Sequence, residues 1–545
     1  MNPALSFLCA MVVTMAWLPV LVRASLRMHL VDMPGLRKVH STPIPRIGGL
    51  AMATGVLVAA IVAVPMSAHN LWLLVATGVI VLFGALDDRF NLDYRIKLAG
   101  QCIAVALVMA QGGVLVESFT LADRVPLPVW VSVPLTAIFL VGITNAINLA
   151  DGLDGLAGGT TFLCLCAIAL LSSYSGQGSS VALSLAFAGA VLGFLRFNTY
   201  PATVFMGDAG SQMLGFATGV LSVRTTQSAT SLISTSIPIL LLAIPILDTL
   251  SVMIQRLGEG RSPFSPDRNH LHHKLLALGF EHHEAVAVIY GFQALLFVLA
   301  YRMRYDSDLA IAAAVTLFFA AVIGSMQLAS RAGWRLRSAG DSGNGAVANR
   351  SATRRARMQR LGEAAYRVIA ATLAAYAAMV IVAVSALRED FRHLVLALLA
   401  VLAAYAVLLR AKPLSLVEKA AIYVTATVIV FLDTVVLPHA PMFDGVEWVL
   451  VGISAAATAL RLRLANDRRF QLTPLDLIVL FMALIVPSLL GSFAFPAGAV
   501  YGIVKLVIVL YALEVVTSGA AERAIWLRIG AGAILAGLVV RPFLP

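Results

Sequence analysis

Across 545 residues, 60% are hydrophobic and only 12% charged, and the mean hydropathy is +0.90. Those proportions exclude a soluble enzyme and a disordered chain, and fit a polytopic helical membrane protein. The net charge of +11 sits mainly in short loops between apolar runs, which reads as membrane topology and not as nucleic-acid binding.

The first apolar stretch, Asn2 to Val22, has no basic region ahead of it and is followed by Arg23 and Arg27, so it reads as a retained span and not a cleaved signal. At about 20 residues per crossing, further spans are predicted at 47–66, 70–87, 97–112, 129–147, 161–174, 181–196, 207–223, 232–254, 285–301 and 308–328. Loops after the odd-numbered spans hold most of the Lys and Arg in this half, which places them in the cytoplasm and the N-terminus outside. Residues 331–362, rich in Gly, Ser and Arg, read as a basic cytoplasmic linker near anionic lipid. Beyond it, spans are predicted near 364–387, 393–410, 419–437, 447–461, 475–492, 498–517 and 525–541. The expected fold class is all-α, a polytopic transmembrane bundle with about 11 helices in residues 1–330 and about seven in a C-terminal extension, 363–545. Cys9, Cys102, Cys164 and Cys166 all lie in apolar segments and read as packing residues.

Five polar clusters interrupt the first half, all at span ends that this topology puts on the cytoplasmic side. A charge costs roughly 2.5–3.5 kcal/mol at the centre of a membrane helix, so converging clusters point to a site. In the first loop, Lys38 and Arg46 suit phosphate and Gly48-Gly49 would let backbone approach a ligand, while a positive-inside anchor fits the same residues. Asp87-Asp88-Arg89 ends the third span, with Lys97 about a turn into the next helix; adjacent carboxylates repel and need a cation, a shared proton or a metal. Asn145, Asn148, Asp151 and Asp154 recur at three-residue steps, which would stack them on one helix face if the helix continues. Gly207-Asp208-Ala209-Gly210-Ser211 puts a carboxylate at a helix start, where exposed amides favour phosphate or metal-phosphate and where an ordinary cap is the bland alternative. The last cluster holds Arg268, His270, His272 and His273, which lack the spacing of a helical zinc pair and suit hydrogen bonds to phosphate or sugar. His282-His283 reads as a solvated helix start. In the extension, Asp433 and Glu514 fall within predicted spans and are suspects, with interhelical hydrogen bonding as the alternative.

Taken in order, D-D-R, N-x-x-N-x-x-D-G-x-D-G, G-D-x-G-S and the histidine loop make residues 1–330 resemble the polyprenyl-phosphate N-acetylhexosamine-1-phosphate transferases, which are integral membrane enzymes. The resemblance implies transfer of a sugar 1-phosphate from a UDP-N-acetylhexosamine to undecaprenyl phosphate, with release of UMP and with magnesium, or manganese in its place, as cofactor. It implies Asn148 and Asp208 as the metal ligands, Asp154 at the uracil, Lys97 on phosphate, and Asp87 and Asp88 at the lipid-phosphate nucleophile. Asp151 is a further catalytic candidate, although its position is not acidic in some eukaryotic members. Lys38, Arg46 and Asn145 are expected on substrate, and Arg268, His270, His272 and His273 near the sugar and diphosphate. The histidine loop resembles the branch that uses UDP-GlcNAc, so N-acetylglucosamine is the expected sugar and a bacterial cell-envelope polysaccharide such as O-antigen the expected destination. The expected location is the bacterial inner membrane, with a cytoplasmic site, and the expected protein partners are a second copy and downstream glycosyltransferases. A phosphate monoester with a second pKa near 6 is already largely dianionic at neutral pH, so positioning and charge neutralisation are expected in place of a strong base. The competing reading, a flippase or transporter of polyprenyl-linked sugar or a membrane scaffold, draws on the number of spans and on an extension without a recognised constellation. One-sided clusters confined to the first half argue against it.

Overall fold

The computed structural model describes residues 3–33, 43–121, 123–228, 231–262, 270–336, 352–383, 396, 399, 416–436, 445–464, 497–517 and 524–540. Contacts divide the chain into two compact units, residues 1–342 with 473–478 and residues 343–472 with 479–545. Both units are helical. Among the described residues, eight helices are long and apolar enough to cross a membrane, and shorter apolar helices accompany them. The protein is a multi-pass membrane protein.

The first unit contains α1 (Pro3–Met28), α2 (Gly48–Ala63), α3 (Ala68–Phe90), α4 (Tyr94–Ala110), α5 (Val129–Ala150), α6 (Leu156–Tyr174), α7 (Gly178–Asn198) and α8 (Gly207–Gln227). It continues with α9 (Ile237–Leu241), α10 (Ala243–Gly258), α11 (Leu271–Ala277), α12 (His282–Arg302) and α13 (Asp308–Arg331). Helices α6, α7 and α8 are buried along nearly their whole length, whereas α2, α3, α5 and α13 leave Ile61, Leu82, Ile138 and Leu317 exposed. A helix that is apolar all round and buried on one side only is suited to lipid on the other.

The predicted ninth span is two helices, α9 and α10, because Pro245 has no N–H to give the carbonyl of Leu241 four residues earlier. That carbonyl instead accepts from Gln293 Nε2 at 3.0 Å and from Cys164 Sγ at 3.2 Å, so α12 and α6 satisfy what the break exposes. At the end of the bundle away from the Asp87 side, the antiparallel hairpin of β3 (Ser118–Thr120) and β4 (Arg124–Pro126) is fastened by Asp308. Its carboxylate accepts from the backbone N–H groups of Thr120 and Ser236 at 2.6 and 2.9 Å and from the hydroxyls of Ser234 and Thr235. A second hairpin pairs β1 (Val31–Asp32) with β2 (Ile44–Pro45).

The second unit contains α14 (Ala352–Ala383), α15 (Leu416–Phe431) running into a π-turn at Leu432–Val436, α16 (Val446–Leu464), α17 (Ala497–Thr517) and α18 (Ala524–Val540). Helix α14 begins well inside the stretch read as linker. The spans predicted at 393–410 and 475–492 lie outside the described residues, Leu396 and Leu399 apart.

Candidate active site

The C-terminal ends of α3 and α5 meet the N-terminal ends of α4, α6 and α8 at one end of the first unit. Close approach to α8 depends on glycine. A β-carbon on Gly49 of α2 would lie 2.2 Å from the Gly210 nitrogen, and one on Gly84 of α3 would lie 2.5 Å from Ala209 Cα. The sequence reading gave the Gly48-Gly49 pair to a ligand; the structure gives it to α8. Gly48 N and Gly49 N donate to the carbonyls of Phe205 and Met206 at 3.0 and 2.8 Å, and Phe205 N donates to Pro45 at 2.8 Å. This zipper carries Arg46 into the cluster, where it pairs with Asp32 and offsets the charges of Asp88 and Asp151.

The paired aspartates have separate partners. Asp87 accepts from Leu92 N at 2.7 Å and from Lys97 Nζ at 2.9 Å, and the same ammonium lies 3.6 Å from Asp208. Asp88 accepts from the N–H groups of Asp208 and Ala209 at 2.9 and 3.1 Å, capping α8 from a neighbouring helix. Gly207 permits this: its φ is +69°, and a β-carbon there would sit 2.4 Å from Asp88 Oδ2. Asp208 in turn accepts from Asn148 Nδ2 at 2.9 Å, and the same amide donates to Ser211 at 2.7 Å.

Asn145 is placed elsewhere. It exchanges hydrogen bonds with Gln101, at 2.7 and 3.2 Å, and Gln101 also reaches Gln212 at 3.0 Å, so this amide ties α4 to α5 and α8. The three-residue stacking of Asn145 through Asp154 ends at Ala150, where α5 stops and Asp151 leaves helical geometry. Asp151 makes no side-chain hydrogen bond among the described residues. Burial first, then the carboxylates of Asp208, Asp154 and Asp88, push it up to about 7. Asp154 accepts from Ala202 N at 2.9 Å while its own N–H donates to His282 Nε2 at 2.9 Å. His282 does start α12 but is part of the cluster and not merely solvated; its ring also stacks on Tyr200, centroids 4.6 Å apart.

His270, His272 and His273 stand in a row, with successive centroids 5.8 and 4.3 Å apart, and His272 lies against Gly152. Burial, followed by the neighbouring His273, lowers His272 to about 4, so it is a neutral hydrogen-bonding group near neutral pH. The row is anchored by a residue the sequence reading missed. Asp248, buried on α10, meets His270 Nδ1 at 2.9 Å and accepts from Leu271 N at 2.6 Å. A carboxylate inside the predicted ninth span was the available signal. The role of His282 had none, since it depends on how α12 packs. Lys38 and Arg268 lie outside the described residues.

Among the described residues, no three His, Cys, Asp or Glu side chains converge as a metal cage. Magnesium does not need one, because it is commonly held by one or two carboxylates and the phosphates of its substrate. The donor set of Asp208 and Asn148 fits it once the Asn148 amide is turned to present oxygen, and the surplus of carboxylates that raises Asp151 is a charge balance a divalent cation would correct.

A sequence model described as glycosyl transferase family 4 matches residues 70–226, the stretch holding the paired aspartates, the Asn/Asp series and Asp208. The chain is 37% identical over 290 residues to a probable undecaprenyl-phosphate N-acetylglucosaminyl 1-phosphate transferase of Bacillus subtilis, covering 52% of this chain and 80% of that one. The chain belongs to this family. It is also 36% identical over 305 residues to the decaprenyl-phosphate N-acetylglucosaminephosphotransferase of Mycolicibacterium smegmatis, covering 50% and 74% of the two chains. An undecaprenyl-phosphate alpha-N-acetylglucosaminyl 1-phosphate transferase of Yersinia pestis is 33% identical over 291 residues, with coverage of 52% and 79%. The family member described here is a phosphosugar transferase.

Proposed function

We propose that the first unit transfers an N-acetylhexosamine 1-phosphate, with N-acetylglucosamine preferred, from its UDP-sugar to undecaprenyl or another polyprenyl phosphate at the cytoplasmic face of a bacterial inner membrane. The observation that carries this reading is the convergence of Lys97, Asp87, Asp88, Asn148 and Asp208 on one end of an apolar bundle, in a member of a phosphosugar transferase family. The names of the relatives support the sugar and the lipid.

A lipid phosphate oxygen attacks the β-phosphorus of the UDP-sugar, the bond from that phosphorus to the bridging oxygen breaks, and UMP leaves. Lys97, held between Asp87 and Asp208, offers an ammonium to a phosphate. Both lobes of the Asp88 carboxylate are committed to α8, so Asp88 acts by positioning Asp208 and not as a free base. Asn148 and Asp208 are the residues that would hold magnesium or manganese, which when bound supplies charge neutralisation at the leaving phosphate. His270, His272 and His273, steadied by Asp248, present hydrogen-bonding ring nitrogens to the sugar and diphosphate.

The test is UMP release by purified protein given undecaprenyl phosphate, magnesium and a panel of UDP-N-acetylhexosamines. Release that needs all three components and is lost in Asp208→Ala supports the reading. Movement of lipid-linked sugar across vesicles with no UMP formed overturns it in favour of a transporter.

A further inference from the structure

The second unit gathers three ionisable side chains from three elements in one place. Lys505 of α17 lies 2.6 Å from Asp433 on the π-turn and 2.9 Å from Glu447 at the start of α16. The side chains of Lys505 and Asp433 are almost fully buried, whereas that of Glu447 is 15% exposed. Tyr376 of α14 donates to Asp433 Oδ2 at 2.9 Å, the oxygen that also takes the lysine, and Trp448 places its ring 5.0 Å from the ammonium. One ammonium therefore holds the carboxyl groups of Asp433 and Glu447 together.

One cation against two carboxylates leaves an uncompensated negative charge if all three groups ionise, and such a charge among membrane helices is costly. Two carboxyl groups held by a single ammonium are most stable when one of them keeps its proton. Asp433 Oδ2 already accepts from two donors, which marks Asp433 as the ionised partner and leaves the proton to Glu447. Partial exposure gives Glu447 the route to water that Lys505 and Asp433 lack. The π-turn adds an independent sign, because such turns interrupt regular helix hydrogen bonding and recur at functional positions. Among the described residues, the groups in contact at the cluster are Tyr376, Trp448 and the trio itself, while Tyr423 donates to Glu514 elsewhere on α15 and α17.

We propose that Glu447, Asp433 and Lys505 form an intramembrane proton-binding site, in which Glu447 takes up and releases one proton beside a fixed Asp433–Lys505 ion pair. The step is a simple association: a proton from water forms the O–H bond of Glu447, and its release returns the carboxylate. A site of this kind lets the second unit respond to proton concentration, and it stands independently of the transferase reading of the first.

Infrared difference spectra of the full-length protein in lipid nanodiscs, taken from about pH 5 to about pH 9, test this. The expected result is a protonated-carboxyl band that is lost as pH rises and is missing from Glu447→Gln. Glutamate labelled with carbon-13 in the unmutated chain should shift the band, which keeps the test valid if the variant fails to fold. A spectrum of Glu447→Gln that titrates like wild type, or a band that ignores the label, overturns the proposal and leaves a static ion pair.

Discussion

Gly84→Ala should damage catalysis through packing alone. The new β-carbon would lie 2.5 Å from Ala209 Cα, 2.6 Å from Ala209 N and 2.9 Å from the Asp208 carbonyl carbon, where ordinary contact begins at 3.4 Å. All three atoms are backbone and cannot rotate away, so α3 and α8 must separate by about 1 Å. Overpacking of this kind costs about 1–3 kcal/mol in stability. The larger effect is on rate, because the separation displaces Asp208 from Asp88 and Lys97, and a misplacement of about 1 Å at a reacting centre lowers turnover by about 100-fold. UMP release and thermal unfolding should be followed together, with Gly78→Ala as the control. Gly78 lies on the same helix with nothing within 4 Å of its β-position, and alanine there should leave turnover unchanged. Wild-type turnover in Gly84→Ala, or an equal loss in Gly78→Ala, would refute the packing argument.

Two further outcomes follow from individual side chains. Asp248→Asn weakens the hydrogen bonds that orient His270 and Leu271 without touching the carboxylates around Asp208, so kcat/KM should fall about 10- to 100-fold while thermal stability changes little; retention of full activity would remove Asp248 from the site. Asp151 holds its proton up to about 7 in the folded protein, above the ordinary aspartate value of 3.8. The folded state therefore binds more protons than the unfolded state across this interval, and stability should fall as pH rises from about 4 to about 7, by at most a few kcal/mol. Unfolding measured without magnesium should show that slope in wild type and a flatter one in Asp151→Asn; equal slopes would mean that Asp151 does not carry it.

The sequence by itself determined the class of the protein and the material of its site. Apolar runs of membrane length have little alternative to helix, because lipid leaves backbone N–H and C=O groups no other partner, and the predicted spans in residues 1–330 fall on helices, the ninth broken into α9 and α10. Charges and amides in such a chain are too costly to be incidental, which is why Asp87, Asp88, Asn148, Asp151, Asp154 and Asp208 stood out before any geometry was known. Direction and partnership were decided only in three dimensions. Whether Asp88 faces a substrate or the amides of α8, whether Gly49 yields to a ligand or to Gly210, and whether Asn145 points into the site or across to Gln101 depend on helix packing distances that no local pattern encodes. The same holds for Lys505, a charge within the predicted span 498–517 whose partners appear only when the π-turn after α15 and the start of α16 bring Asp433 and Glu447 against it. Local composition sets the cost of a buried charge, while the tertiary fold chooses the partner that offsets it.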